Sequence, residues 1–251
     1  MDTLSYGSPT CAIDVRPVAT GESCGDFAGE VVLDEHRMSI FVGDVAGRGP
    51  RTGSIASKLS AHLRRTLAAR RSLRAVVTDL DARLTDDLDE ETPFVSLFVA
   101  TIDGRARSCT YVSAGHEPAL LLRGHRHDHL GPTGPILGVG IPLAFDERQV
   151  TCDASSTLIV VTDGITEARR RDGDALDYFG TNGVAHAAHR AIGVARDLAG
   201  DIHAAATFYA RAALRDDATV LVARQRVHGW TPIPSVRVEP PLVAAAGGGA
   251  P

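Results

Sequence analysis

The chain has only four cysteines, and no two of them form a Cys-x-x-Cys pair. That spacing indicates neither a zinc knuckle nor a redox motif. Cys11, Cys24, Cys109 and Cys152 read instead as reduced, mostly buried thiols of a cytoplasmic protein. No apolar run reaches 18 residues, so no membrane-spanning helix is expected. The segment Met1 to Pro9 lacks a basic stretch followed by an apolar one, which argues against a secretory signal. Positive charge is not in excess either. The formal net charge of -5 gives no electrostatic case for nucleic acid. No internal repeat is visible.

What is present is 251 residues with 44% hydrophobic and 23% charged content. That is enough for one large domain, or two small ones, with a layered core. Residues 11–18 alternate and read as a strand, followed by a Gly-rich turn over 21–25. Residues 29–34 and 38–44 read as a hairpin around Asp34 to Arg37. From Thr52 to about Ala69, Ile55, Leu59, Leu63 and Leu67 recur at helical spacing behind Gly49 and Pro50. A second helix is expected over 73–88, with Val76, Val77, Leu80 and Leu84 on one face.

The period then changes to short strands over 94–102, 108–113 and 119–122, with a Gly/Pro-rich loop over 130–142. Strands are expected again over 148–152, 157–162 and 218–227, and helices over 164–170 and 194–214. The tail, with five prolines and a terminal Ala/Gly run, reads as disordered. The expected organisation is a flexible N-terminus over 1–10, one domain over 11–228, and a tail over 229–251. Two helices between strand meanders indicate an α+β layered sandwich of mostly antiparallel sheets.

Four aspartates stand out against this background: Asp26, Asp44, Asp163 and Asp217. Three of them touch apolar, β-branched runs that read as strands. Carboxylates at the ends of core strands require cationic compensation. Oxygen-only donor sets select hard ions such as Mg²⁺ or Mn²⁺. Two such ions can activate a water for in-line attack on phosphorus. Gly25-Asp26, Gly43-Asp44 and Asp163-Gly164 also supply the small neighbours such a site needs.

In context these residues carry a resemblance. The segments are Cys-Gly-Asp-Phe at 24–27, Gly-Asp-Val-Ala-Gly-Arg-Gly at 43–49, Thr-Asp-Gly-Ile-Thr-Glu-Ala at 162–168 and Asp-Asp-Ala-Thr-Val-Leu at 216–221. Tyr-Val-Ser-Ala-Gly-His-Glu-Pro at 111–118 and Gly-Pro-Ile-Leu-Gly at 134–138 agree with them. In order and spacing, residues 11–226 resemble the PPM (PP2C-like) metal-dependent serine/threonine phosphatases of the bacterial stage II sporulation protein E branch. The resemblance implies an αββα sandwich that hydrolyses phosphoserine or phosphothreonine with metal-activated water and no phosphoenzyme. It implies Asp44 as the bridging and central catalytic ligand, with the Val45 carbonyl beside it. Asp163 and Asp217 are implied as ligands of one ion, and Asp26 as ligand of the other or of its waters. Asp44, Asp26 and Asp163 are thereby the expected catalytic residues, and two Mn²⁺ or Mg²⁺ ions the expected cofactor. The implied substrate is a phosphorylated anti-sigma-factor antagonist in a partner-switching pathway.

The chain departs from the family pattern at Gly29, where many relatives carry a second acid, with Glu30 beside it. A degenerate fold used as a regulatory binding module is the alternative reading. An aspartyl-phosphate mechanism needs an Asp-x-Asp pair at a strand end, and Asp79–Asp81, Asp87–Asp89 and Asp172–Asp174 all fall on expected helices or loops. His116 reads as a turn histidine bonded to backbone, with a role near phosphate as the second reading. His125, Arg126, His127, Asp128 and His129 resemble a metal tract, but successive residues of a strand face opposite ways, so an exposed hairpin tip is expected. Arg64, Arg65, Arg70, Arg71 and Arg74 read as a solvated helical face, or else as a dock for an acidic partner. Asp79, Asp81, Asp86, Asp87, Asp89, Glu90 and Glu91 read as the polar face and end of the second helix. The chain leaves no room for a sensor domain. It reads as a free-standing catalytic domain or an excised one; if free-standing, control is expected from a partner, or from a homodimer formed through helices 52–88.

Overall fold

The computed structural model describes residues 9–16, 24–86, 94–141, 144–172, 175–191 and 197–225. Two five-stranded antiparallel sheets face each other. The first runs β1 (Pro9–Arg16), β12 (Ala218–Gln225), β9 (Ser156–Val161), β6 (Ala119–Arg123), β7 (Arg126–Leu130). The second runs β2 (Asp26–Val32), β3 (Arg37–Val45), β4 (Val95–Asp103), β5 (Ser108–Ala114), β8 (Arg148–Thr151). Every residue of β9 is buried, as expected of a strand covered on both faces.

Three apolar layers hold the stack together. Ile40, Val42, Phe98 and Ala100 of one sheet meet Leu121, Leu158, Val160 and Leu221 of the other. On the outer face of the second sheet lie α1 (Pro50–Ala68) and α2 (Leu73–Asp86). Leu59, Leu63 and Leu67 from α1, and Val76, Val77 and Leu80 from α2, pack there on Phe41, Leu97 and Val99. These helical residues recur every three or four positions, which turns one stripe inward. Pro50 fits the first turn, where its missing N–H costs no helical bond. The outer face of the first sheet carries α3 (Asp163–Thr166), α4 (Gly180–Ala191) and α5 (Leu198–Ala210). Val184, Ala188, Ile202 and Ala206 pack there on Leu120, Leu122 and Val222. The result is the expected αββα sandwich.

Several elements differ from the expectation. The helix expected over 164–170 is a single turn, α3, followed by a hairpin of β10 (Arg169–Asp172) and β11 (Ala175–Tyr178). Its Arg-Arg-Arg-Asp strand has no apolar alternation to reveal it. The expected 194–214 helix is α5 alone, starting at Leu198 where Asp197 caps Gly200 N–H at 3.0 Å. α4 was not expected, since its Ala-, Gly- and His-rich sequence has Val184 as its one large apolar side chain. The 130–142 loop is docked, with bridges Val95–Leu137 and Ala114–Gly134. The first strand starts at Pro9, within the N-terminus expected to be flexible. Residues 1–8, and the tail expected to be disordered (229–251), lie outside the described residues.

The two charge stretches are largely spent within the fold. Arg64 lies over the Phe41 ring at 5.5 Å and donates to the Glu30 carbonyl at 2.9 Å. Arg70 donates to the Leu33 carbonyl at 2.6 Å, and Arg71 stands 3.8 Å from Asp79. All five arginines of the basic stretch are exposed, as a solvated face requires, while Arg64 and Arg70 also tie α1 to its sheet. Asp81 corrects the reading of the acidic stretch. It is buried, and its Oδ1 accepts the Gly138 N–H at 2.9 Å. This link ties α2 to the loop whose Ile136 lines the cleft described below. Asp87, Asp89, Glu90 and Glu91 lie outside the described residues.

Candidate metal centre

The acids collect at one end of the sandwich, where strands of both sheets finish. Asp26 opens β2 and is paired in register with Asp44 near the end of β3. Asp163 follows β9, and Asp216 and Asp217 precede β12. Pairing of β12 with β9 brings these last two positions together, with Val161 opposite Val220. A cleft at this end is lined by Asp44, Asp163, Ser96, His116, Glu117 and Ile136, among others.

Asp26 is almost wholly buried and faces the other sheet. Its Oδ2 accepts from the hydroxyls of Thr162 and Thr219, each at 2.7 Å. Thr162 Oγ1 also accepts the Thr219 N–H at 2.9 Å. Burial pushes the Asp26 carboxyl up to about 8; the two hydroxyls oppose this, and the charges of Asp44 and Asp217 add to it. Both threonines stood in the quoted motifs, but nothing in the sequence assigned them to Asp26.

Asp44 is half-buried. Burial first, and then the charges of Asp163, Asp216 and Asp217, push its carboxyl up to about 6. Asp163 is raised by burial, then by Asp216 and Glu167. Glu117 is raised by burial, then by Asp163 and Glu167. These couplings define one patch of mutually repelling carboxylates, and they single out Asp216, which sequence reasoning passed over in favour of Asp217. Asp217 is instead engaged with the turn before β2. Its Oδ2 accepts the Gly25 N–H at 2.8 Å, and its side chain also bonds the Cys24 thiol. Arg48 balances Asp216 at 3.1 Å and donates to the Arg215 carbonyl at 3.1 Å.

Gly25 shows how closely the backbone comes in. A Cβ there would stand 2.9 Å from the Val45 carbonyl oxygen and 3.2 Å from Asp44 Oδ1. The Val45 carbonyl thus lies at the same cradle as Asp44, where a backbone ligand was expected. Among the described residues, no three acid, imidazole or thiol groups already stand in coordination geometry. The donor chemistry nevertheless fits a hard divalent ion. It consists of carboxylates and a carbonyl, with no sulfur or imidazole among them, and the raised carboxyls are those a cation would relieve.

The departure at Gly29 is a packing feature. Gly29 faces α1, the opposite way from Asp26, because three positions along a strand reverse the face. A Cβ there would meet Arg64 Nη2 and Phe41 Cζ, each at 2.5 Å. Glu30 pairs with Ile40, four strand positions from Asp26, and does not reach the centre.

His116 is buried, and its Nδ1 lies 2.8 Å from Ser96 Oγ. Burial pulls its imidazole down to about 4, against a weaker opposing effect of the Val161 backbone. Its ring is held by the Ser96 side chain and forms part of the cleft wall with Asp44 and Asp163.

A family model described as stage II sporulation protein E (SpoIIE) matches residues 34–226. The phosphoserine phosphatase RsbP of Bacillus subtilis is 30% identical over 159 residues, covering 62% of this chain and 40% of that protein. The SpoIIE phosphatase domain structure from Bacillus subtilis superposes with a TM-score of 0.74 at 16% identity, covering 90% of this chain and 64% of that one. The structure of RsbU and RsbW domains from Mycobacterium tuberculosis gives a TM-score of 0.73 at 22% identity, covering 88% and 61%. The chain thus spans about two fifths of the length of RsbP.

Proposed function

The chain belongs to the stage II sporulation protein E (SpoIIE) family, and on that premise we propose that it is a metal-dependent protein serine/threonine phosphatase. The observation that carries this reading is the meeting of Asp44, Asp163 and Asp216 from three separate chain segments, the first two lining one cleft and each raised by burial and then by its neighbours' charge. A binding surface has no use for such repulsion, whereas a cation site requires it.

Asp44, Asp163 and Asp216, with the Val45 carbonyl, would hold Mg²⁺ or Mn²⁺. When bound, such ions supply an activated water and neutralise phosphate charge. Asp26, fixed by Thr162 and Thr219, stands behind Asp44 as the buried acid of the set. Asp217, expected as a direct ligand, holds the Gly25 turn against the centre. His116 is neutral near pH 7 and fixes the cleft wall through Ser96.

Other phosphatase chemistries lack support. Cys24 is the cysteine beside these acids, but burial and then the charges of Asp26 and Asp217 push its thiol up, away from a nucleophilic thiolate. The pair Asp79–Asp81 lies on α2, with Asp79 held by Arg83 and Asp81 by Gly138, so it does not form an aspartyl-phosphate site. The binding-module alternative rested on Gly29, which packing explains.

The substrate is a phosphoserine or phosphothreonine protein, and the named relative RsbP supports phosphoserine. An anti-sigma-factor antagonist is the candidate we favour, with control exerted through α1 and α2 by a partner or by dimerisation. No described helix is long and apolar enough to cross a membrane. The test is hydrolysis of an aryl phosphate and of a phosphorylated antagonist, each with Mn²⁺, Mg²⁺ or chelator. Metal-dependent release of phosphate from both supports the reading, and a folded protein inert on both contradicts it.

A further inference from the structure

A second set of metal-binding side chains lies away from the acids, where the β6–β7 hairpin meets α4. Strand alternation sorts the His-Arg-His-Asp-His tract. His127 pairs in register with Leu122, and His129 with Leu120. Leu120 and Leu122 pack against the α4 and α5 layer. His127 and His129 therefore share the face of β7 that looks to the helices, their rings 5.3 Å apart. Asp128 alternates to the other face and is paired with Arg123.

α4 supplies the opposing half. His186 and His189 are three residues apart on this helix and so share one side of it. The His127 and His189 rings are 5.3 Å apart, with Nδ1 of one 3.2 Å from Nε2 of the other. Two imidazole nitrogens on a tetrahedral ion with bonds of about 2.0–2.1 Å stand roughly 3.4 Å apart. Burial, and then the charges of His127, His125 and His186, hold His189 below its ordinary value. Four imidazoles thus share one neighbourhood.

We propose that this cluster is a site for a divalent ion of the zinc class, with His127 and His189 at its core and His186 and His125 as further donors. The ion replaces the hydrogen bond between the two core rings and staples the hairpin to α4. His125 and His186 are exposed and free to rotate into place, which a closed donor set requires because no three donors are already in coordination geometry among the described residues. Imidazole donors favour zinc, nickel or copper over the hard ions suited to the carboxylate centre. The two sites therefore differ in the ion they select.

The test titrates Zn²⁺ into the full chain, stripped of metal, against a chromophoric chelator, with millimolar Mg²⁺ present to occupy the carboxylate centre. Wild type and Asp44→Asn are expected to take up about one zinc per chain that His127→Gln/His189→Gln does not. His186→Gln, a change on the exposed side of α4, is expected to weaken zinc binding about tenfold. It serves as the readout should the double variant misfold. Undiminished zinc uptake by a folded double variant, or by His186→Gln should the double variant misfold, would overturn the proposal. So would zinc uptake lost with Asp44→Asn alone, or absent from wild type, leaving the 3.2 Å contact as a hydrogen bond only.

Discussion

Asp44 sits where ionisation is resisted, by burial and by three neighbouring carboxylates. Removing its charge should therefore have opposite effects on fold and function. Asp44→Asn is expected to unfold at a higher temperature than wild type in chelator, and to lose roughly a hundredfold or more in activity with Mn²⁺. Thermal unfolding in chelator, beside turnover with Mn²⁺, measures both. Asp216→Asn should lose activity to a similar degree. Asp217→Asn should retain more, because its carboxylate serves the Gly25 turn. Equal losses at 216 and 217 would return Asp217 to the ligand set.

His116 gives a pH signature at the same scale. Its folded pKa, about 4, lies below the ordinary 6.5. Between those values the unfolded chain binds a proton that the native state refuses, so stability from this group is present above about pH 6.5 and lost as pH falls towards 4. Relative to His116→Asn, wild type should lose ~3 kcal/mol across that window. Urea unfolding of both proteins at pH 7 and pH 4.5 measures the difference. A constant difference would show that His116 is not held neutral.

Among the elements, α1 and α2 are tied to the sheet by polar contacts that bear on the centre. Asp81 bonds Gly138 from within the apolar stripe of α2. Asp81→Ala leaves that buried N–H without its partner and should cost about 1–3 kcal/mol in denaturant unfolding. Gly29→Ala forces a methyl against Arg64 and Phe41 and should destabilise by about 1–3 kcal/mol with metal dependence unchanged. A shift in the Mn²⁺ requirement of Gly29→Ala would mean that position 29 does act on the second ion.

Legibility in the sequence followed physical contrast. β3, β4 and β9 were readable as short, largely apolar runs, and α1 because its buried stripe imposes a helical period. α4 and the β10–β11 hairpin were not, since one is rich in small residues and the other in charge. Asp81 was readable in principle, lying four positions after Val77 and beside Leu80. The choice between Asp216 and Asp217 was not, because adjacent acids before a strand are separated only by the turn that aims them. Asp26, Asp44 and Asp163 were each placed at the centre from strand-end position and motif context.

For the molecule as a whole, the account is that a sandwich of three apolar layers brings repelling acids together so that a divalent ion can hold them. Ion binding to the native state alone stabilises it, by about 2.7 kcal/mol at a hundredfold excess over Kd. The most direct measurement is phosphate release from a phosphoserine protein by wild type and Asp44→Asn, each with Mn²⁺ and with chelator. The account expects release by wild type with Mn²⁺ alone, and near-complete loss in the other three conditions. Release that survives both the chelator and the substitution would contradict it.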